Sequence, residues 1–226
     1  MIRLVLFDFD GTLVDSNARK RACMRATVAD LPGGPAALEK ARKRGGDRYI
    51  LFAEVARQLD PSGEPGAIAR RGRALAAAYT RCCARAIAAA PERRGARAAL
   101  AALKARGIRI WLNSATPHRD LVAIVRGRGL LPLLDGVLGG PASKVANLRR
   151  ALAAERVAPR RALLVGDGED DREAARALGT FFVAITAEDR LSGNGPFAVR
   201  DLSRLPALVD RIRSRRARAP RAARAR

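Results

Sequence analysis

From Gly95 onward the chain alternates short apolar runs with helix-length amphipathic ones, and this rhythm restricts the possible folds more than any other feature. A helix over 96–106 stops at Gly107, Ile108-Arg109-Ile110-Trp111-Leu112-Asn113 reads as a strand, and Thr116-Pro117 starts a helix to about Arg128. A short extended piece near Val137-Leu138, a helix over 144–155, a strand from Ala162 to Val165, a helix over 171–178 and a strand from Phe181 to Ile185 complete the series. Residues 2 to 7 (Ile-Arg-Leu-Val-Leu-Phe) add a strand at the N-terminus, left at Gly11. Strands separated by helices of this length are joined by crossovers, so the expectation is α/β: a parallel sheet with helices on both faces.

Between Val14 and Arg106 no strand is evident. Ser16 caps a helix to about Asp30, and Leu31-Pro32-Gly33-Gly34-Pro35 stops it. A helical segment near Tyr49 to Leu59 follows, then the turn Asp60-Pro61-Ser62-Gly63-Glu64-Pro65-Gly66 and a long Ala/Arg helix from about Ala67. Residues 16–90 therefore read as an all-helical insertion, and Pro91 marks the return to a main domain made of 1–15 and 91–210.

In parallel sheets ligands gather at the carboxyl ends of the strands, and the polar residues here fall at those ends. Asp8 and Asp10 close the first apolar strand, Ser114 ends the next, Gly166-Asp167 end a third, and Lys144 opens the helix after Gly139-Gly140-Pro141. In extended backbone alternate side chains share a face, so Asp8 and Asp10 project together. Two like charges in a small site repel unless a cation lies between them or one holds a proton. Hard carboxylate oxygens suit Mg²⁺, which completes its shell with waters and substrate phosphate.

Net charge is +22, but residues 211–226 hold eight arginines and no acid, which leaves +14 on residues 1–210. That Ala, Pro and Arg tail lacks core-forming residues and reads as disordered. It is suited to touch nucleic acid or another polyanion, although 39 Arg against 5 Lys throughout the chain points to general composition, and no aromatic residues interleave the basic ones as a stacking platform requires. Acid is scarcer: five of 22 acidic residues lie between Asp167 and Glu173. Three cysteines, two of them adjacent, do not resemble a secreted disulfide framework, so a reducing cytoplasm is expected and Cys82 and Cys83 read as helix-packing residues. No run approaches membrane-spanning length, and no membrane partner is expected.

These motifs together resemble the haloacid dehalogenase superfamily of hydrolases, in its phosphoglycolate-phosphatase-like branch with a helical cap inserted after the first strand. Asp8-Phe9-Asp10-Gly11-Thr12-Leu13 matches the first motif, Ile110-Trp111-Leu112-Asn113-Ser114 the second, Lys144 the third, and Gly166-Asp167 with Asp171 the fourth. The resemblance covers roughly residues 2–210 and implies a Rossmann-like core with an all-helical cap domain. It implies an Mg²⁺-dependent phosphomonoester hydrolase acting on a small phosphorylated metabolite, with Asp8 as nucleophile and Asp10 as general acid and base. Mg²⁺ would be held by the Asp8 carboxylate, the Asp10 backbone carbonyl and Asp167, with Asp171 as direct or indirect partner; Glu169 and Asp170, in the loop between the matched acids, could replace or assist them. Lys144 would pair with Asp8 and a phosphate oxygen, and Ser114 would donate to the phosphoryl group, as would Thr12 or the amides of Phe9 and Asp10. Asn113 is a substrate-binding candidate beside Ser114. In the insertion, Arg48 of Gly45-Gly46-Asp47-Arg48-Tyr49 lies where related enzymes place a substrate-reading loop. A phosphomutase, a phosphonate hydrolase using Lys20, Lys40 or Lys43, and a nucleic-acid-associated protein using the Arg tail remain alternatives. Oligomeric state is left open.

Overall fold

The computed structural model describes residues 1–186 and 197–218. The chain separates into two compact units, one formed by Met1–Asp15 with the chain from Pro91 onward and the other by Ser16–Ala90.

Among the described residues, the first unit is built on six parallel strands: β1 (Leu4–Phe7), β2 (Arg109–Pro117), β3 (Gly136–Gly140), β4 (Ala162–Gly166), β5 (Phe181–Ile185) and β6 (Ala198–Val199), in the order β3-β2-β1-β4-β5-β6. β1 is central, with Val5 paired to Ile110 on one side and Leu163 on the other. A strand covered on both faces must be apolar throughout, and all four residues of β1 are buried. The chain runs outward from β1 through β2 to β3, then crosses back to β4 on the other side. The carboxyl end of β1 is thus the topological switch point, where α/β sheets open a crevice for ligands.

The second unit, by itself, is four helices: α1 (Asn17–Val28), α2 (Gly34–Arg42), α3 (Arg48–Leu59) and α4 (Pro65–Ala88). Asp47 caps α3 by accepting from the amides of Tyr49 and Ile50, and Glu64 caps α4 likewise from Gly66 and Ala67. Phe52 and Tyr79 pack with ring centroids 5.4 Å apart. The Ser16 side chain makes no capping bond to α1.

Five helices follow among the described residues of the first unit: α5 (Ala96–Ala105), α6 (His118–Gly127), α7 (Lys144–Ala154), α8 (Glu169–Leu178) and α9 (Leu205–Arg218). Leu148, Ala151 and Leu152 of α7 and Ala174 and Ala175 of α8 cover one face of the sheet at Leu4, Leu6, Ala162 and Leu164. α5 and α6 pack against β2, and α9 against α5.

Four expectations are corrected. β2 continues to Pro117, and α6 starts only at His118, because Pro117 holds an extended ψ of 134° and the β2/β3 register shifts between Asn113 and Pro117. α8 starts at Glu169, so Glu169 and Asp170 lie in its first turn rather than in a loop. α9 runs through the first half of the segment expected to be disordered: Leu205, Val209 and Ile212 are buried at helical spacing and Asp210 pairs with Arg106 at 3.2 Å. Residues 219–226 lie outside the described residues.

The fourth correction concerns the cysteines. Cys23 of α1 and Cys82 of α4 form a disulfide across helices that pack together, while Cys83 is buried outside it. The two partners lie 59 residues apart, so local sequence gives no hint of the pairing. Closing a loop of that length removes denatured-state freedom of about 4 kcal/mol. Cys23→Ser is expected to destabilise the helical unit by roughly 2–4 kcal/mol in urea unfolding. A midpoint unchanged between variant and oxidised wild type would contradict this.

Candidate active site

The loop after β1 is held by backbone bonds before any side chain acts. The Asp8 amide still donates to Val165 O (2.9 Å), extending the β1–β4 ladder by one residue. The amides of Leu13 and Val14 both donate to Phe9 O, at 3.0 and 3.1 Å, and Gly11 N to Val14 O at 2.8 Å. Gly11 makes this turn with φ 82°, a region costly for residues bearing a Cβ. Asp8, Asp10 and Thr12 are thereby fixed and buried.

Lys144 is the first residue of α7, where the Ser143 hydroxyl caps the helix by accepting from Ala146 N. Its ammonium lies 3.1 Å from Asp8 Oδ1, 2.7 Å from Asp171 Oδ1 and 3.3 Å from Asp170 Oδ2. The other Asp171 oxygen accepts from Gly168 N (3.2 Å), and Thr12 Oγ1 donates to Asp167 Oδ1 (3.3 Å). Gly166 is required for this approach, since a Cβ there would fall 2.3 Å from the Asp171 carboxyl carbon.

Burial raises Asp8 well above the ordinary carboxylate range; Lys144 opposes this, and Asp171, Asp167 and Asp170 reinforce it. Burial likewise pushes Asp171 up to about 7 against the pull of Lys144. Burial alone would lower Lys144, but the combined attraction of Asp8, Asp171 and Asp170 outweighs it and holds the ammonium well above its usual range. Asp8, Asp167 and Asp171 each bring an oxygen within 4.8 Å of the others'. One lysine cannot neutralise three buried carboxylates, and the excess favours protons or a divalent cation. This all-oxygen, anionic donor set fits a hard cation such as Mg²⁺.

Asp10 is not one of those three carboxylates; its carboxylate accepts from Thr116 Oγ1 at 2.7 Å, with both residues buried. Ser114 is buried beside it, its hydroxyl accepting from Thr116 N at 3.1 Å. Thr116-Pro117 carries a helix-start signature that hides Thr116 in the sequence; the signal that reveals it is the Ser-x-Thr spacing, which places both side chains on one face of a continuing strand. Thr116→Val is expected to lower kcat about tenfold with KM nearly unchanged and Thr116→Ser to recover most of it. Equal turnover in the valine variant would remove Thr116 from the site.

The remaining candidates are distributed differently. Asn113 is fully buried and donates through Nδ2 to Lys144 O (2.9 Å), which ties β2 to the start of α7. Glu169 is exposed, with Arg172 3.8 Å away, and Asp170, also exposed, reaches Lys144; neither joins the three-carboxylate group. Arg48 belongs to the helical unit, where it donates to Thr80 Oγ1 (3.3 Å) and lies 5.9 Å from the Tyr79 ring centroid.

The family model of haloacid dehalogenase-like hydrolases matches residues 2–179. The chain belongs to this family. It is 29% identical over 191 residues to a phosphoglycolate phosphatase of Pseudomonas syringae pv. tomato, covering 81% of this chain and 69% of that protein. The fold is shared with CbbY from Rhodobacter sphaeroides, solved in complex with phosphate (TM-score 0.71, 21% identity, 91% of this chain and 96% of that one). It is also shared with the HAD-hydrolase YfnB from Bacillus subtilis, solved bound to magnesium (TM-score 0.68, 15% identity, 92% and 99%). No described helix of this family member is long and apolar enough to cross a membrane.

Proposed function

We propose that this hydrolase cleaves phosphate monoesters of small metabolites in two displacements at Asp8, with Mg²⁺ as cofactor. The observation that carries the reading is the division between the carboxylates: Asp8 lies in a lysine-bridged anionic group, and Asp10 is held two residues away by Thr116. An Asp8 oxygen attacks phosphorus while the ester P–O bond breaks, and the leaving oxygen takes a proton from the Asp10 carboxyl. Asp10 then accepts a proton from water, whose oxygen attacks phosphorus and breaks the bond to Asp8, releasing inorganic phosphate. Lys144 neutralises charge on Asp8 and on the phosphoryl oxygens, and Ser114 donates to one of those oxygens. Asp8, Asp167 and the Asp10 carbonyl would hold Mg²⁺, with Asp171 orienting Lys144 beside them. The bound ion supplies positive charge that screens nucleophile from phosphate.

The names of the relatives agree with this chemistry, since one is a phosphoglycolate phosphatase and others were solved with phosphate or magnesium. We infer phosphoglycolate or a similarly small phosphate ester as substrate, with the helical unit serving as the cap that reads it and Arg48 as a candidate contact. A Schiff-base route has little support, because Lys40 and Lys43 are exposed and Lys20 is only half-buried, whereas such lysines are activated by desolvation. Assay of a panel of phosphorylated metabolites with Mg²⁺ and with EDTA tests the reading. Mg²⁺-dependent release of free phosphate from at least one small ester is expected; no release from any, or release untouched by EDTA, would contradict it.

A further inference from the structure

Within the helical unit a groove of about 780 Å³ runs between α2 and the C-terminal half of α3. Lys40, Lys43, Arg44, Arg57 and Gln58 line it, and among the described residues no acidic one does. Two of the chain's five lysines meet here, which general arginine richness does not account for.

The basic side chains are organised by one carboxylate. Glu54, with a side chain only 13% exposed, accepts from Arg57 Nε (2.9 Å) and Nη2 (2.7 Å) and from Gln58 Nε2 (2.8 Å), and Arg44 Nη1 lies 3.0 Å away. Hydrogen bonds from Arg57, then from Gln58, hold the Glu54 carboxyl down at about 2, so it stays ionised and keeps both guanidiniums aligned. Fixing arginines in advance lowers the entropy lost when they grip a phosphate. Gln58 Nε2 is committed to Glu54 and its Oε1 is shut off from solvent, so Gln58 belongs to the scaffold that holds the carboxylate.

The groove is also asymmetric along its length. Lys43 and Arg44 follow the C-terminus of α2, while Pro32 and Leu59 line the end where α2 begins, Leu59 lying against Gly33. The nine residues of α2 rise about 14 Å, a span that suits a ligand with phosphates at one end and a flat ring at the other. The volume falls in the range of small-molecule sites, about 300–1,000 Å³.

We propose that this groove binds a nucleoside polyphosphate, its phosphates on Lys40, Lys43, Arg44 and Arg57 and its base over Pro32 and Leu59. This site is independent of phosphate-ester cleavage at Asp8 and lies wholly in the helical unit.

Equilibrium binding of ATP to the full chain, with EDTA present to keep divalent metal from the carboxylates, tests the proposal. Lys40→Gln/Lys43→Gln is expected to weaken ATP binding about tenfold, equivalent to about 1.4 kcal/mol, while Arg149→Gln/Arg150→Gln on the exposed surface of α7 changes it less than about twofold. Glu54→Gln discriminates most sharply: it adds positive charge, so diffuse attraction predicts tighter binding, whereas an organised site predicts weaker binding. Equal losses in the two double variants, tighter binding by the Glu54 variant, or tripolyphosphate bound as tightly as ATP would each overturn the proposal.

Discussion

Replacing Asp8 by asparagine is expected to reduce phosphate release by roughly 10⁴-fold or more, the scale seen when a covalent nucleophile is removed, and to leave the fold intact. Asparagine keeps the shape of the side chain and its backbone bond to Val165, but its amide cannot form the acyl-phosphate. Stability should not fall, because Asp8 is buried, its carboxylate is already disfavoured by desolvation, and it repels Asp171 and Asp167. The loss of its ion pair with Lys144 is offset by Asp171 and Asp170, which keep the lysine engaged. Steady-state assay with urea unfolding of both proteins checks the pair of claims. Activity lost together with the fold would make Asp8 structural, and activity retained would dismiss it as nucleophile.

Lys144→Met should produce the second largest effect, on stability and turnover together. Methionine fills similar volume but leaves Asp8 and Asp171 buried beside each other with no cation, a situation that costs about 3–5 kcal/mol when a buried pair loses one partner. The penalty depends on pH in a definite direction. A carboxyl whose folded pKa is raised contributes stability fully below its unfolded value and loses it as pH rises through the folded value, about 7 for Asp171 in the intact protein. Removing Lys144 takes away the main influence holding both carboxyls down, so destabilisation in EDTA should be larger near about pH 8 than near about pH 5. Turnover should fall at least about 10²-fold, as expected for losing a charge that stabilises the transition state. Equal destabilisation at both pH values would mean that Lys144 does not neutralise this cluster.

Much of this site was legible because its residues occupy strand ends and helix starts that periodicity locates. Asp8, Ser114 and Asp167 each terminate an apolar run, and Lys144 stands out because lysine is scarce in an arginine-rich chain. The sequence was misleading where local signals compete. Thr116-Pro117 carries a helix-start signature, yet β2 continues through it, and this concealed the hydroxyl that holds Asp10. The neighbour of Ser114, Asn113, carries a bond that its sequence position does not announce, from Nδ2 to the backbone at the start of α7. The Arg-rich stretch after Arg211 obscured the apolar spacing of Leu205, Val209 and Ile212 that docks α9. The Cys23–Cys82 bond and the Glu54-centred groove depend on helix pairing across the insertion, which no single stretch encodes.

The most direct test of the central claim is to quench the enzyme during turnover of a phosphate ester with Mg²⁺ and map the trapped phosphate by peptide mass spectrometry. Phosphate on the peptide containing Asp8, absent from the Asp8→Asn protein, is the predicted result. Phosphate trapped on another residue, or unimpaired turnover by Asp8→Asn, would contradict it.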